Sequence, residues 1–167
     1  MQRGGPAIRP ATPLVALTFL LGGAAGPRAQ GSAARCAVTT ESLVEFAEPS
    51  PSTGESFWYG SELLAVRLNR SGRWGGMGPE RDYGDKLFWW RQGYSGHLEP
   101  QPELVVTARR LDGAAPAVSA SRATNARHGD FGGWAMLVGL GFPAAGCWEV
   151  TGTYHDEAVS FVTHVGP

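Results

Sequence analysis

Two cysteines, four histidines and a scatter of carboxylates are the side chains of this 167-residue sequence that could do chemistry. Each chemistry has a spacing that it needs. A serine hydrolase holds its nucleophile on a sharp elbow with a base in reach. The nearest stretch, Gly93-Tyr94-Ser95-Gly96-His97, lacks the second glycine at the right offset and sits in no strand-turn-helix setting, so it reads as a turn. A metal site needs three or four converging His, Cys or carboxylate ligands. His97, His128, His155 and His164 are scattered without any HxH or HxxxH spacing, and only His155 and His164 share an element. Glu62, Asp82, Asp85 and Glu99 could be paired for glycoside hydrolysis, but acids in loops are ordinarily just solvated. The glycine-rich "GRWGGMG" opens no helix and lacks a Gly-Lys-Ser/Thr ending, so it is no phosphate cradle. The sequence calls for no metal and no cofactor, and it leans away from an enzyme. The rival that spacing leaves open is an enzyme assembled from distant loops, with Glu99, His128 and Asp130 converging in a pocket.

Aromatic and arginine side chains crowd the middle of the chain, where Trp58, Trp74, Trp89, Trp90 and Tyr94 interleave with Arg67, Arg73, Arg81 and Arg91. Exposed Trp and Arg mark recognition surfaces, although aromatics also fill cores. The residues expected to meet a ligand are Trp58, Trp74, Arg73, Arg81 and Tyr94. Trp74 is expected to be exposed, because it lies in the glycine-rich stretch 71–85, "SGRWGGMGPERDYGD". That stretch is expected to be a mobile loop and the main contact surface. Stacking platforms of this kind would suit a carbohydrate-binding module, the first alternative to a more general binding or structural role.

The compartment follows from the start of the chain. Arg3 and Arg9 precede a short apolar run at 14–21, and small residues then offer cleavage sites at Ala29-Gln30-Gly31 and Ser32-Ala33-Ala34. The run is shorter than the roughly 20 residues that a bilayer span needs, so it reads as a signal peptide. The expected division is a signal and cleavage region over 1–34 and one domain over 35–167, secreted or held in the periplasm or cell envelope. Losing 1–34 would remove Arg3, Arg9 and Arg28 but no acid, leaving 11 basic side chains against 15 acidic ones. An acidic domain with a single lysine, Lys86, makes a poor nucleic-acid binder. An envelope protein or a glycan is the expected partner.

In an oxidising compartment the two cysteines, Cys36 and Cys147, are expected to form a disulfide. Closing a loop on the order of 100 residues stabilises by about 4 to 5 kcal/mol through loop-closure entropy, with smaller gains common in practice. Lipidation of Cys36 is the competing reading. Arg35 argues against it, since a lipoprotein signal wants a small residue there.

The elements that would position these residues read as short strands. Residues 36–40 make one, and 63–69 another, with Leu64, Val66 and Leu68 on one face. "KLFWWR" at 86–91 is apolar on both faces. Residues 103–111 put Leu104, Val106 and Ala108 in phase until Arg109-Arg110, where a bulge or the strand end is expected. Residues 117–120 suit an edge strand within an otherwise loop-like stretch. Trp134, Met136, Val138, Leu140 and Phe142 give the strongest period-two signal. In the last hairpin Trp148, Val150, Gly152 and Tyr154 share one face with Val159, Phe161, Thr163 and Val165 opposite, which leaves Cys147 and Glu149 pointing away from the core. Seven or eight such strands and no helical period predict an all-β antiparallel sandwich, immunoglobulin-like.

The stretches "FWYGSELLAVRL", "RRLD", "GFPAAGCWEVTG" and "SFVTHV" together resemble a group of uncharacterised bacterial exported proteins that end in a Gly-Cys-Trp-Glu-Val-Thr strand and a Phe-Val strand. The likeness is most specific over the last 25 or so residues. It implies an exported, sandwich-like domain and brings no catalytic residue with it.

Overall fold

Alternating apolar residues become strands here, and the strands make two layers. The computed structural model describes residues 36–42, 54–74, 83–128 and 133–166. The predicted signal region, residues 1–34, lies outside them. Within the described residues ten strands follow one another: β1 Ser56–Gly60, β2 Ala65–Asn69, β3 Arg73–Trp74, β4 Tyr83–Trp90, β5 Val105–Arg110, β6 Val118–Ser119, β7 Thr124–His128, β8 Gly133–Phe142, β9 Gly146–Tyr154 and β10 Glu157–Val165. They form two five-stranded sheets, in the orders β1-β2-β4-β8-β7 and β3-β10-β9-β5-β6. Every pairing is antiparallel except β3 with β10, which run parallel at His164↔Arg73 and Val165↔Trp74.

The core lies between the layers, and parity finds it. Leu64, Val66, Leu68, Val138, Leu140, Trp148, Val150 and Phe161 all belong to one contiguous buried cluster. Cys147 is buried too, at 4% exposure, but stands outside that cluster as its parity predicts. Each fully buried large apolar side chain contributes about 1.5–3 kcal/mol. Close approach of the layers depends on Gly152 of β9. A Cβ there would lie 2.2 Å from the ring of Trp89, which reaches across from β4. The other face of the first sheet carries a smaller buried cluster, Trp58 with Ala65 and Ala135, against which Phe88 and Trp90 pack. Two-sided burial of 86–91 is therefore half right. Leu87 and Trp89 are core, while Phe88 and Trp90 are only partly covered.

Several expectations need correction. The strand count exceeds seven or eight, because β1 and the two-residue β3 were not expected and because β7, read as loop, pairs with β8 from Thr124↔Leu137 to His128↔Gly133. Residues 71–85 are not one loop. Arg73–Trp74 form β3, residues from Tyr83 onward belong to β4, and 75–82 lie outside the described residues. No bulge interrupts Arg109-Arg110. Both pair in register with Glu149 and Trp148, and the strand ends there.

Residues 36–40 are extended chain rather than strand. The Thr39 N–H donates to the Val162 carbonyl of β10 at 2.9 Å, and the Val162 N–H donates to Thr39 Oγ1 at 2.9 Å. Cys36 and Cys147 are joined in a disulfide, with their Cα atoms 5.4 Å apart. No thiol is left at Cys36 to carry a lipid. Arg70 adds an ion pair to Glu41, and Val38 packs against Gly72, where a Cβ would meet it at 2.5 Å. These contacts hold 36–42 along β10, beside β3.

Candidate functional site

The first sheet does not stay closed. β1 follows β2 through Asn69, and β4 follows β8 back to Tyr83. β2 and β4, however, pair only at Ala65↔Trp90 and Val66↔Trp89. Beyond that point they diverge, and a cleft of about 560 Å³ opens in the fork. Residues 67–69 of β2 make one bank and residues 85–88 of β4 the other. Trp74, Phe161 and Thr163 of the second sheet form the floor, and Thr39 of the stapled N-terminal segment completes one side. The volume falls within the range of about 300–1,000 Å³ usual for ligand pockets.

Local sequence explains why each side chain is there. Asn69 and Gly72 make the turn that brings the chain from one sheet to the other: the Gly72 N–H donates to the Asn69 carbonyl at 3.0 Å, and Gly72 takes φ of +62°. That turn delivers Trp74 inward against the edge of Phe142, with centroids 5.1 Å apart. Arg73, opposite in parity, stays exposed. Asp85 and Lys86 are exposed on the β4 bank, above buried Leu87. Trp74 itself is only 6% exposed. The expectation of an exposed tryptophan was wrong, because parallel pairing with β10 is invisible in local composition.

Several polar atoms of the cleft have structural work. Thr163 Oγ1 donates to the Gly72 carbonyl at 3.2 Å, Ser56 Oγ accepts from Arg67 Nε at 2.9 Å, and Asp85 Oδ1 accepts the Lys86 backbone N–H at 2.7 Å. Three buried side-chain nitrogens lack a partner among the described residues: Trp74 Nε1, Trp89 Nε1 and His164 Nδ1. Of these residues only Trp74 lines the cleft. A buried donor left without an acceptor costs about 1–3 kcal/mol.

The remaining sequence candidates are placed elsewhere. Trp58 is buried at 2% exposure in the smaller cluster and offers no open ring face. Arg81 and Asp130 lie outside the described residues. Tyr94 sits at the opposite end of the sandwich, in the segment that crosses from β4 to β5. Its hydroxyl donates to Asn125 Oδ1, and Asn125 Nδ2 donates in turn to the Gly96 and Glu99 carbonyls at 3.3 and 2.9 Å. The Tyr154 hydroxyl donates to Glu99 Oε2, while Glu99 Oε1 accepts the Glu103 N–H at 3.0 Å. Burial, helped by the Glu99 charge, pushes Tyr94 up to about 12, with the Asn125 hydrogen bond acting the other way. Tyr154 is raised as well, by burial first and then by its hydrogen bond to Glu99.

This network fastens residues 91–104 across the end of the sandwich. Ser95 is a turn residue whose carbonyl accepts the N–H groups of Leu98 and Glu99, and His97 stands edge-on to Trp134 with centroids 4.8 Å apart. The stretch screened for a nucleophile is thus a fastened turn. Glu99, the one member of the enzyme alternative whose side chain is described, has both oxygens engaged. Among the described residues no group of three or more His, Cys, Asp or Glu side chains could hold a metal ion.

No family model, curated protein or solved structure matches this chain.

Proposed function

We propose that the chain is exported and acts, without catalysis, as a binding module at the cell envelope, with the fork between β2 and β4 as its binding site. The observation that carries this reading is the fork itself. A sheet selected only for stability gains by pairing its strands along their whole length, since each further rung satisfies main-chain groups. Here a fully described pair of strands parts after two rungs over an apolar floor. Export draws support from the signal-like residues 1–34, from the disulfide, which suits an oxidising compartment, and from the resemblance to exported proteins in the last strands. An immunoglobulin-like arrangement is the finer reading of the two-sheet architecture. The ligand is an envelope protein or a glycan.

Two measurements test this reading. Residues 1–34 fused to a reporter that is active only outside the cytoplasm should give active reporter. The purified full chain, disulfide intact, should sediment with envelope fractions and lose that retention in an Arg73→Ala/Lys86→Ala variant. An inactive fusion would refute export. Absence of retention on every fraction would refute the binding role.

A further inference from the structure

The fork has a shape and a charge, and together they narrow what it accepts. Had the β2–β4 ladder continued, Leu68 would face Leu87 and Asn69 would face Lys86; it stops instead at Val66↔Trp89. Each bank therefore turns toward the opening the side of its backbone that a neighbouring strand would occupy. Leu68, Leu87, Trp74 and Phe161 make the bottom apolar, and all four are buried. On the lip stand Arg73 and Lys86, both exposed, and neither forms an ion pair among the described residues. Arg67 adds a third cation, against the two acids Glu55 and Asp85.

We infer that this cleft takes an extended peptide segment in which an apolar side chain stands next to an acidic one. The inference rests on the binding-module reading and deepens it. An extended peptide lying in the fork adds main-chain pairing to β2 and β4, the recognition mode of strand addition. Successive side chains of an extended strand point to opposite faces. An apolar residue that drops onto Trp74 and Phe161 therefore sends its neighbour outward, on the side of Lys86, where a carboxylate finds a cation. A saccharide has less to hold it. Trp58 and Trp74 are buried, so neither presents the open ring face on which a sugar stacks.

The test is panning of a displayed random-peptide library on the full chain with its disulfide intact, with a glycan array run in parallel. Enrichment of linear peptides with adjacent acidic and apolar residues is expected. A synthetic peptide of the enriched sequence should bind at least tenfold more weakly to Arg73→Glu/Lys86→Glu, and equally so when its own acid is replaced by the amide. Because both substituted side chains are exposed, the variant should unfold at the wild-type temperature. Hydrogen exchange should show β2 and β4 gaining protection when the peptide binds. A library without such a motif, or an affinity unmoved by the charge reversals, overturns the inference. Glycan binding that the same reversals abolish removes the peptide and leaves the binding module standing. No binding in either format removes both.

Discussion

At the scale of single residues, Gly152 and a pair of tyrosines each give an outcome to measure. Gly152 lets Trp89 rest on the second sheet, and the Cβ of an alanine there would meet the indole at 2.2 Å. The ring is buried on all sides, so relief requires the layers to part. Gly152→Ala is expected to lose about 3 kcal/mol, at the upper end for overpacked cores, read as a lower denaturation midpoint at unchanged slope.

The tyrosine pair gives the second. Tyr94 is held protonated up to about 12 against an ordinary value of 10.0, and Tyr154 is raised in the same direction. The folded state therefore keeps protons that the unfolded chain gives up. Their contribution to stability is complete below pH 10 and is lost as pH rises from 10 toward the folded values. Alkaline titration followed by phenolate absorbance should show Tyr94 ionising near pH 12, a step absent in Tyr94→Phe, with stability falling from pH 10 upward. Tyr94 ionising at pH 10 in the folded protein would contradict the geometry described.

At the scale of elements, the N-terminal segment 36–42 is a covering strip. It pairs with β10 at Thr39 and Val162, and the disulfide fixes its start to β9. An uncovered edge invites pairing with another chain. Reduction is expected to leave the fold intact while lowering stability by about 2–4 kcal/mol. The Val162 and Thr39 amides should then exchange faster while those of β8 and β9 keep their protection. Equal exchange at Val162 before and after reduction would show that the strip holds without its staple.

The elements also show what a sequence reveals and what it hides. Period-two patterns found β2, β8, β9 and β10 with the right faces, because a strand with one buried face must alternate. The edge strand β6 was legible from its turn-rich surroundings. β7 was missed, since "TNARH" has almost no apolar residue and owes its conformation to β8 beside it. β3 was missed for a related reason: two residues among glycines carry no period, and their partner lies ninety residues away in sequence. The same blindness affected the site. Lys86 and Arg73 were visible as residue types, but the fork that gathers them is a failure of pairing between β2 and β4, and no local pattern encodes where a ladder stops.

At the scale of the whole molecule, the two sheets share one core and exchange the chain repeatedly. β2 leads to β3, β4 to β5, β6 to β7 and β8 to β9, each time crossing between layers. Neither sheet can keep its buried face covered once the other leaves. Unfolding is therefore expected as a single cooperative transition. Tryptophan fluorescence reports mainly on Trp89, Trp148 and their neighbours, and far-ultraviolet circular dichroism on both sheets. The two signals should trace one curve, and a fluorescence change that precedes loss of the strand signal would mean that the layers separate first.

The staple has a further, mechanical consequence. Cys36 and Cys147 are 111 residues apart in sequence, so nine of the ten strands begin inside the covalent ring that they close. Tension applied between a handle before Cys36 and one after Val165 passes through the sulfur–sulfur bond and bypasses everything between. Only the remainder of β9, its hairpin turn and β10 can be drawn out. Reducing the bond puts those 111 residues into the path of the force and should lengthen the extended chain by about 400 Å, at roughly 3.6 Å per residue. A protein built this way can be tugged at both ends while the sheet that carries the fork stays out of the line of pull.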